Sequence, residues 1–264
     1  MNMAFRSIWQ KFLGRVRRIR RTGLLATLKR QFSRWSWGQF EQRWELDTGG
    51  SLNVDQLGTN DNGFGYQPID YLSLEQAFAH LPNDMRGESF VDFGCGKGRA
   101  LLFAAMRPFA AVWGVELNKG LATTATENLT KLADRQRCQF HHVAQADARD
   151  FPIPDTATIL FFYNPFAGDI LRKTLENIYD SLVRAPRKVT IIYALPQCDH
   201  DLMAEMPWLA KKTEVRTCNS DWERLTIYES VPIGHHESSI DHGEDPMAYT
   251  SECNHSMEEA LHAH

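Results

Sequence analysis

Cysteine is scarce and scattered in this sequence. The five cysteines, Cys95, Cys138, Cys198, Cys218 and Cys253, are odd in number and form no CxxC pair. That argues against a disulfide framework or a thiolate zinc site and fits a reducing compartment. Long apolar runs are missing as well. No stretch approaches the ~18 consecutive apolar residues of a membrane span. The opening residues have no uninterrupted apolar core before a small-residue cleavage site, so no secretory signal is expected. Charge of one sign is scarce at the first end and absent from the last. Residues 1–43 hold a single acid, Glu41, against eleven Lys or Arg, and residues 233–264 hold no Lys or Arg against seven acids and six histidines. The net charge of −4 conceals this contrast.

Between those ends lies a body of ordinary globular composition. Across the 264 residues, 43% are hydrophobic and 23% charged, which excludes a wholly disordered or fibrous chain. Three zones are therefore expected: a basic helical arm over residues 1–45, a folded domain over 46–232, and an acidic, histidine-containing tail over 233–264, expected to be disordered. In the arm, Phe5, Ile8, Trp9, Phe12, Val16 and Ile19 recur at three- and four-residue steps, with Arg15, Arg18 and Arg21 off that stripe. This is a basic amphipathic helix. Leu24, Leu25, Leu28 and Phe32 begin a second segment after Gly23, and Trp35, Trp37, Phe40 and Trp44 follow.

Residues 47–68 are rich in glycine and asparagine and read as irregular chain. A helix should start at Ser73, with Gln76 completing a capping box. The body then alternates. Strands are expected at 89–93, 111–115, 140–144, 156–163 and 188–195, with helices between them. Such alternation requires crossovers and a mainly parallel sheet. Two β-rich runs, 213–217 and 222–228, should form an antiparallel hairpin at one edge.

The sharpest local feature is Asp92-Phe93-Gly94-Cys95-Gly96-Lys97-Gly98-Arg99, directly after the first strand. Three alternate glycines let the backbone turn tightly and approach a ligand closely. The spacing is GxGxG, so it differs from the dinucleotide fingerprint, and no GK[ST] end makes it a phosphate loop. Glu116 ends the second strand 18 residues past Gly98, where an acid can accept both hydroxyls of a ribose lying over the turn. Asp147 follows the third strand, where a carboxylate can accept from an exocyclic adenine amine. Asn164-Pro165-Phe166 ends the fourth strand. All four positions fall at carboxyl ends of strands, where open α/β sheets bind ligands.

On these motifs the sequence from about residue 66 to residue 228 resembles the class I S-adenosylmethionine-dependent methyltransferases, specifically bacterial members with a GCGKGR turn and an NPF loop. The resemblance implies a Rossmann-like, doubly wound α/β sheet of seven strands, mainly parallel, with a C-terminal antiparallel hairpin. It implies S-adenosylmethionine as the cofactor. Gly94, Gly96 and Gly98 would approach its methionine part, Asp92 its amino group, Glu116 its ribose and Asp147 its adenine. Tyr66, in Phe64-Gly65-Tyr66-Gln67-Pro68, is a candidate lid over it. Asn164, Pro165 and Phe166 resemble the catalytic loop of amine and amide N-methyltransferases, with one proline where that loop has two. They are the candidate catalytic residues, and a nitrogen of a protein or small molecule is the candidate methyl acceptor. The alternatives are a cofactor-binding protein without turnover and an interaction protein working at a membrane surface.

The arm has three candidate partners: the body itself, an anionic membrane surface reached through residues 1–43, and, ranked last, nucleic acid, which needs no apolar stripe. An arginine-rich, acid-poor start also resembles an organelle transit peptide. No metal site is expected, because the tail histidines lack ligand spacing. The expected location is the cytoplasm, with membrane contact through the arm.

Overall fold

The computed structural model describes residues 24–57, 64–195, 200–217 and 224–232. The stripe Phe5 to Ile19, the tail histidines, Cys198, Cys253 and the hairpin turn containing Cys218 lie outside those residues.

Period-two alternation in the strands fills both faces of one sheet. In β1 (Ser89–Phe93), Phe90 points to one side and Val91 and Phe93 to the other. In β4 (Ala157–Tyr163), Phe161 and Phe162 divide in the same way, as do Ile192 and Ile191 in β5 (Thr190–Ala194). Strands buried on both faces read as unbroken apolar runs, and β1 is buried at every position. Together with β2 (Ala111–Glu116) and β3 (Phe140–Gln145), these strands pair in parallel. Two more, β6 (Leu209–Arg216) and β7 (Arg224–Ser230), pair antiparallel, and β7 also runs antiparallel to β5. The order is β3-β2-β1-β4-β5-β7-β6. This is the expected Rossmann-like, seven-stranded sheet with its closing hairpin. The hairpin strands begin earlier or end later than expected, because Trp208 and Leu209 are drawn against the core and extend the ladder to Leu209–Ser230 pairing.

Chain order reverses between β1 and β4, and the carboxyl ends of those strands open a crevice there. One face of the sheet carries α1 (Leu24–Arg43), α3 (Tyr71–Phe78), α4 (Arg99–Ala105) and α5 (Lys119–Lys131), whose apolar residues share one core. The other face carries α6 (Gly168–Arg184), with Leu171, Leu175, Ile178 and Leu182 on its buried stripe, and α7 (His200–Glu205).

Two local expectations are corrected. The third helix starts at Tyr71, and its cap is Asp70, whose Oδ1 accepts from Leu72 N at 3.0 Å. Ser73 lies inside the helix, fully buried, with no hydrogen-bond partner for its Oγ. Asp70 wins because its extended backbone (φ −68°, ψ 139°) leaves its carboxylate free to meet the first-turn amides. The irregular segment after Asp47 also holds a one-turn helix, α2 (Val54–Leu57). Asn53 and Gln56 cap it reciprocally, each accepting from the other's amide at 2.9 Å.

The second half of the expected arm is packed, not free. Trp37 stacks on Tyr71 with ring centroids 4.3 Å apart and lies 5.5 Å from Phe103. Its indole N–H donates to Glu75 Oε1 at 2.9 Å. Phe40 and Trp44 pack on the same core. No helix among the described residues is long and apolar enough to cross a membrane.

Candidate functional site

The glycine turn between β1 and α4 is left-handed at all three glycines, with φ of 70° at Gly94, 55° at Gly96 and 83° at Gly98. Side chains other than glycine's are strained there. Space is also denied: a Cβ would strike the Pro165 ring at Gly94 and the Tyr66 ring at Gly96, and would press on Ala125 at Gly98. The turn is pinned to β2, whose Val115 carbonyl accepts from Gly94 N at 2.8 Å and Cys95 N at 3.0 Å.

Glu116 stands behind that turn. Its Oε2 accepts from Gly96 N at 2.9 Å and its Oε1 from Asn118 N at 2.8 Å. Burial raises its pKa against the pull of these backbone donors. Asp92 is more deeply buried. Burial first, and the nearby Glu116 carboxylate second, hold it well above the usual carboxylate range. Two acids sharing one buried wall favour a cationic or hydroxyl-bearing ligand, which would relieve both. Cys95 lies in the same turn, and burial with the two acids pushes its thiol up, so it is no thiolate.

A cleft opens over the turn, walled by residues from β1, β2, β4 and the Phe64–Ile69 segment. Asp92, Gly94, Gly96, Glu116, Asp147, Asn164, Pro165, Phe166 and Tyr66 all line it. Gly98 does not; it starts α4 and packs against α5. Asp147 is already engaged, its carboxylate held by Arg149 through Nη2 at 2.6 Å and Nε at 3.0 Å. That guanidinium first, outweighing some burial, lowers its pKa. Leu117, half exposed, adds an apolar wall next to Glu116.

Asn164 is the most constrained residue of the cleft. Its φ is +40°, it is 6% exposed, and its Oδ1 is buried without a hydrogen-bond partner. A buried acceptor left open costs roughly 1–3 kcal/mol, and left-handed backbone adds strain of a kind concentrated at functional sites. Pro165 seats this loop against Gly94, and its carbonyl accepts from Phe64 N at 3.3 Å. Phe166 is buried edge-on against Phe162, 6.2 Å away, and still reaches the cleft lining, so packing and site roles coincide in it.

Residues 47–57 and 64–68 strap over the turn. Tyr66 lies on Gly96 and donates from its hydroxyl to the Thr48 carbonyl at 2.8 Å. Residues that sequence reasoning missed fasten this strap. Asn128 on α5, 1% exposed, accepts from Asp47 N at 2.9 Å and donates to the carbonyls of Asp47 at 2.8 Å and Lys97 at 2.9 Å. Its signal was a polar residue on the buried stripe of Leu121, Ala125 and Leu129. Lys97 donates to Asp47 Oδ1 at 2.8 Å. Arg99, at the position after the third glycine, lines the cleft and donates to Thr48 Oγ1 at 2.8 Å, the Ile69 carbonyl at 2.9 Å and Glu41 Oε1 at 3.2 Å. Glu41 also accepts from Tyr71 Oη at 2.8 Å and from Thr48 Oγ1. His141 and His142 lie on the edge strand β3, outside the cleft.

The chain is similar to known proteins in sequence and in fold. Residues 90–185 match the methyltransferase domain family. No curated protein sequence matches the chain. Among solved structures, the protein yhhF of Escherichia coli, assigned as a methyltransferase, is similar with a TM-score of 0.50 at 16% identity, over 69% of this chain and 98% of that one. An RNA methyltransferase of Salinibacter ruber, in complex with S-adenosylhomocysteine, is similar with a TM-score of 0.46 at 18% identity, over 67% and 100% of the two chains. A phosphoethanolamine N-methyltransferase of Haemonchus contortus gives 0.49 at 12% identity, over 64% and 44%. At such identities the likeness is one of fold.

Proposed function

We propose, for a chain whose residues 90–185 match the methyltransferase domain family, that the cleft over the glycine turn holds S-adenosylmethionine as cofactor and that Asn164 orients a nitrogen acceptor within it. The residues fit the group. Left-handed glycines bare their backbone beside the methionine position, and Asp92, a buried acid beside the Glu116 carboxylate, suits a ligand ammonium. Glu116 keeps acceptor capacity beyond the Gly96 and Asn118 amides for ribose hydroxyls. Leu117, Ala146 and Ala148 give the cleft an apolar lining beside Asp147, suited to adenine.

The bound cofactor supplies an electrophilic methyl carbon on a sulfonium that departs as a neutral thioether. The protein's own work is alignment and exclusion of water. Pro165 and the strap hold the loop rigid. Tyr66 closes the turn from above. Asn164 Oδ1 accepts from an N–H of the acceptor, so the nitrogen lone pair points inward. Phe166 offers a ring face that favours positive charge developing nearby.

The observation that carries this reading is the buried, unpartnered Oδ1 of Asn164 on strained backbone beside the glycine turn. The test has two parts. Calorimetry with S-adenosylhomocysteine should show binding to wild type, and Asn164→Ala should leave that affinity nearly unchanged. Transfer of radiolabelled methyl to a panel of amines, amides, phenols and thiols should then favour nitrogen, and Asn164→Ala should lower kcat by roughly 100-fold, the scale of a lost positioning hydrogen bond in a dry site. Preferred transfer to oxygen or sulfur, or wild-type turnover in Asn164→Ala, ends the nitrogen reading and leaves the cofactor reading standing.

A further inference from the structure

Helix α1 has two faces with different fates. Its inward face carries Ser33, Trp37, Phe40 and Glu41 onto the body. On the opposite side, Leu28, Phe32 and Trp35 follow at steps of four and three, which places them on one stripe. They are 51%, 67% and 63% exposed, and the two rings lie along the helix tilted by 39°, with centroids 6.0 Å apart. One exposed apolar residue is ordinary. Three large ones in line, two of them aromatic, form an apolar surface without a described neighbour to cover it.

Charge decides what covers it. Lys29 and Arg43 are exposed beside the stripe. Arg34 stands on the other flank, 63% exposed and 3.9 Å from Asp70. The helix has one acid, Glu41, and it is turned inward onto Arg99 and Tyr71. The outward face is therefore aromatic along its middle, cationic along its edges and free of carboxylates. A second copy of this face would set cation against cation. So would residues 1–23 of the same chain, which carry seven Lys or Arg and no acid. Nucleic acid would satisfy the cations and leave Leu28 and its neighbours without an apolar phase. An anionic bilayer satisfies both: rings seat in the headgroup boundary while lysine and arginine reach phosphates.

We propose that the outward face of α1, the stripe Leu28–Phe32–Trp35 rimmed by Lys29, Arg34 and Arg43, docks the protein on anionic phospholipid membranes. This does not rest on the methyltransferase reading. The full chain is sedimented with vesicles of phosphatidylcholine alone and of phosphatidylcholine mixed with phosphatidylserine, at low and at physiological salt. Wild type should sediment with the mixed vesicles only, and less so as salt screens the contact. The double variant Phe32→Ser, Trp35→Ser changes no charge and touches neither core nor cleft. It should bind mixed vesicles about tenfold more weakly or worse, with wild-type melting temperature and S-adenosylhomocysteine affinity. Wild type remaining in the supernatant at low salt overturns the proposal. So does a double variant that binds as well as wild type, which would locate the affinity in residues 1–23. A dimer that the double variant dissolves would assign the face to a second copy, and RNA binding lost in that variant would assign it to nucleic acid. Either result also overturns it.

Discussion

Asp92 is buried as an acid at a cost to the fold. Its folded pKa is raised, so between the ordinary carboxylate value and that raised value the folded state binds more protons than the unfolded one. Stability from this group is therefore full below about pH 4 and is lost as pH rises through the folded value. Asp92→Asn removes that loss. The variant should melt higher than wild type at neutral pH, and the gain should vanish toward pH 4. It should also bind S-adenosylhomocysteine at least about tenfold more weakly, since a charged hydrogen bond is worth roughly 1.5–3 kcal/mol. Thermal melts across pH, paired with calorimetry, read both effects. A destabilised Asp92→Asn at neutral pH would refute the argument. Gly96 makes the second residue-scale case. Its φ of 55° and the Tyr66 ring above it leave no room for a methyl group. Gly96→Ala should cost about 1–3 kcal/mol in denaturant unfolding and displace Tyr66 from the turn.

At the scale of elements, the strap formed by residues 47–57 and 64–66 is held by several polar contacts. Asn128 alone satisfies both backbone groups of Asp47 and the Lys97 carbonyl. Asn128→Ala leaves three backbone groups to find other partners. Hydrogen exchange should show faster exchange in the strap amides, with the sheet unchanged, and cofactor affinity should fall with it. If the strap exchanges at the wild-type rate, Lys97 and Arg99 hold it without help.

For the whole molecule, α1 belongs to the folded unit although its composition sets it apart. Trp37 stacks on Tyr71 and bonds to Glu75, and Glu41 is the counterion of Arg99 beside the cleft. Trp37→Ala should destabilise by about 2–4 kcal/mol, a little below a fully buried tryptophan. A chain beginning at Asp47 should be recovered aggregated or molten, with its aromatic core uncovered. Equal melting temperatures for that truncation and the full chain would show α1 to be an appendage.

The order of strands and helices is legible in the chain, and so are Asp92, the glycine turn, Glu116 and Asp147, which the structure gathers about one cleft. Strand and helix periods are local and strong, and the acid-glycine-glycine-glycine turn, Glu116 and Asp147 announce themselves because each must follow a particular strand. The sequence misjudged the start of α3, because a buried serine and an exposed one look alike until packing chooses between Ser73 and Asp70. It also set the arm apart from the body on charge alone. Tertiary structure decided the rest. Only there does Glu41 meet Arg99, 58 residues away, and Asn128 meet Asp47, 81 residues away. Only there is Asn164 seen with its carbonyl buried and open on left-handed backbone. These are long-range matches of single polar atoms, and no periodicity in the chain encodes them.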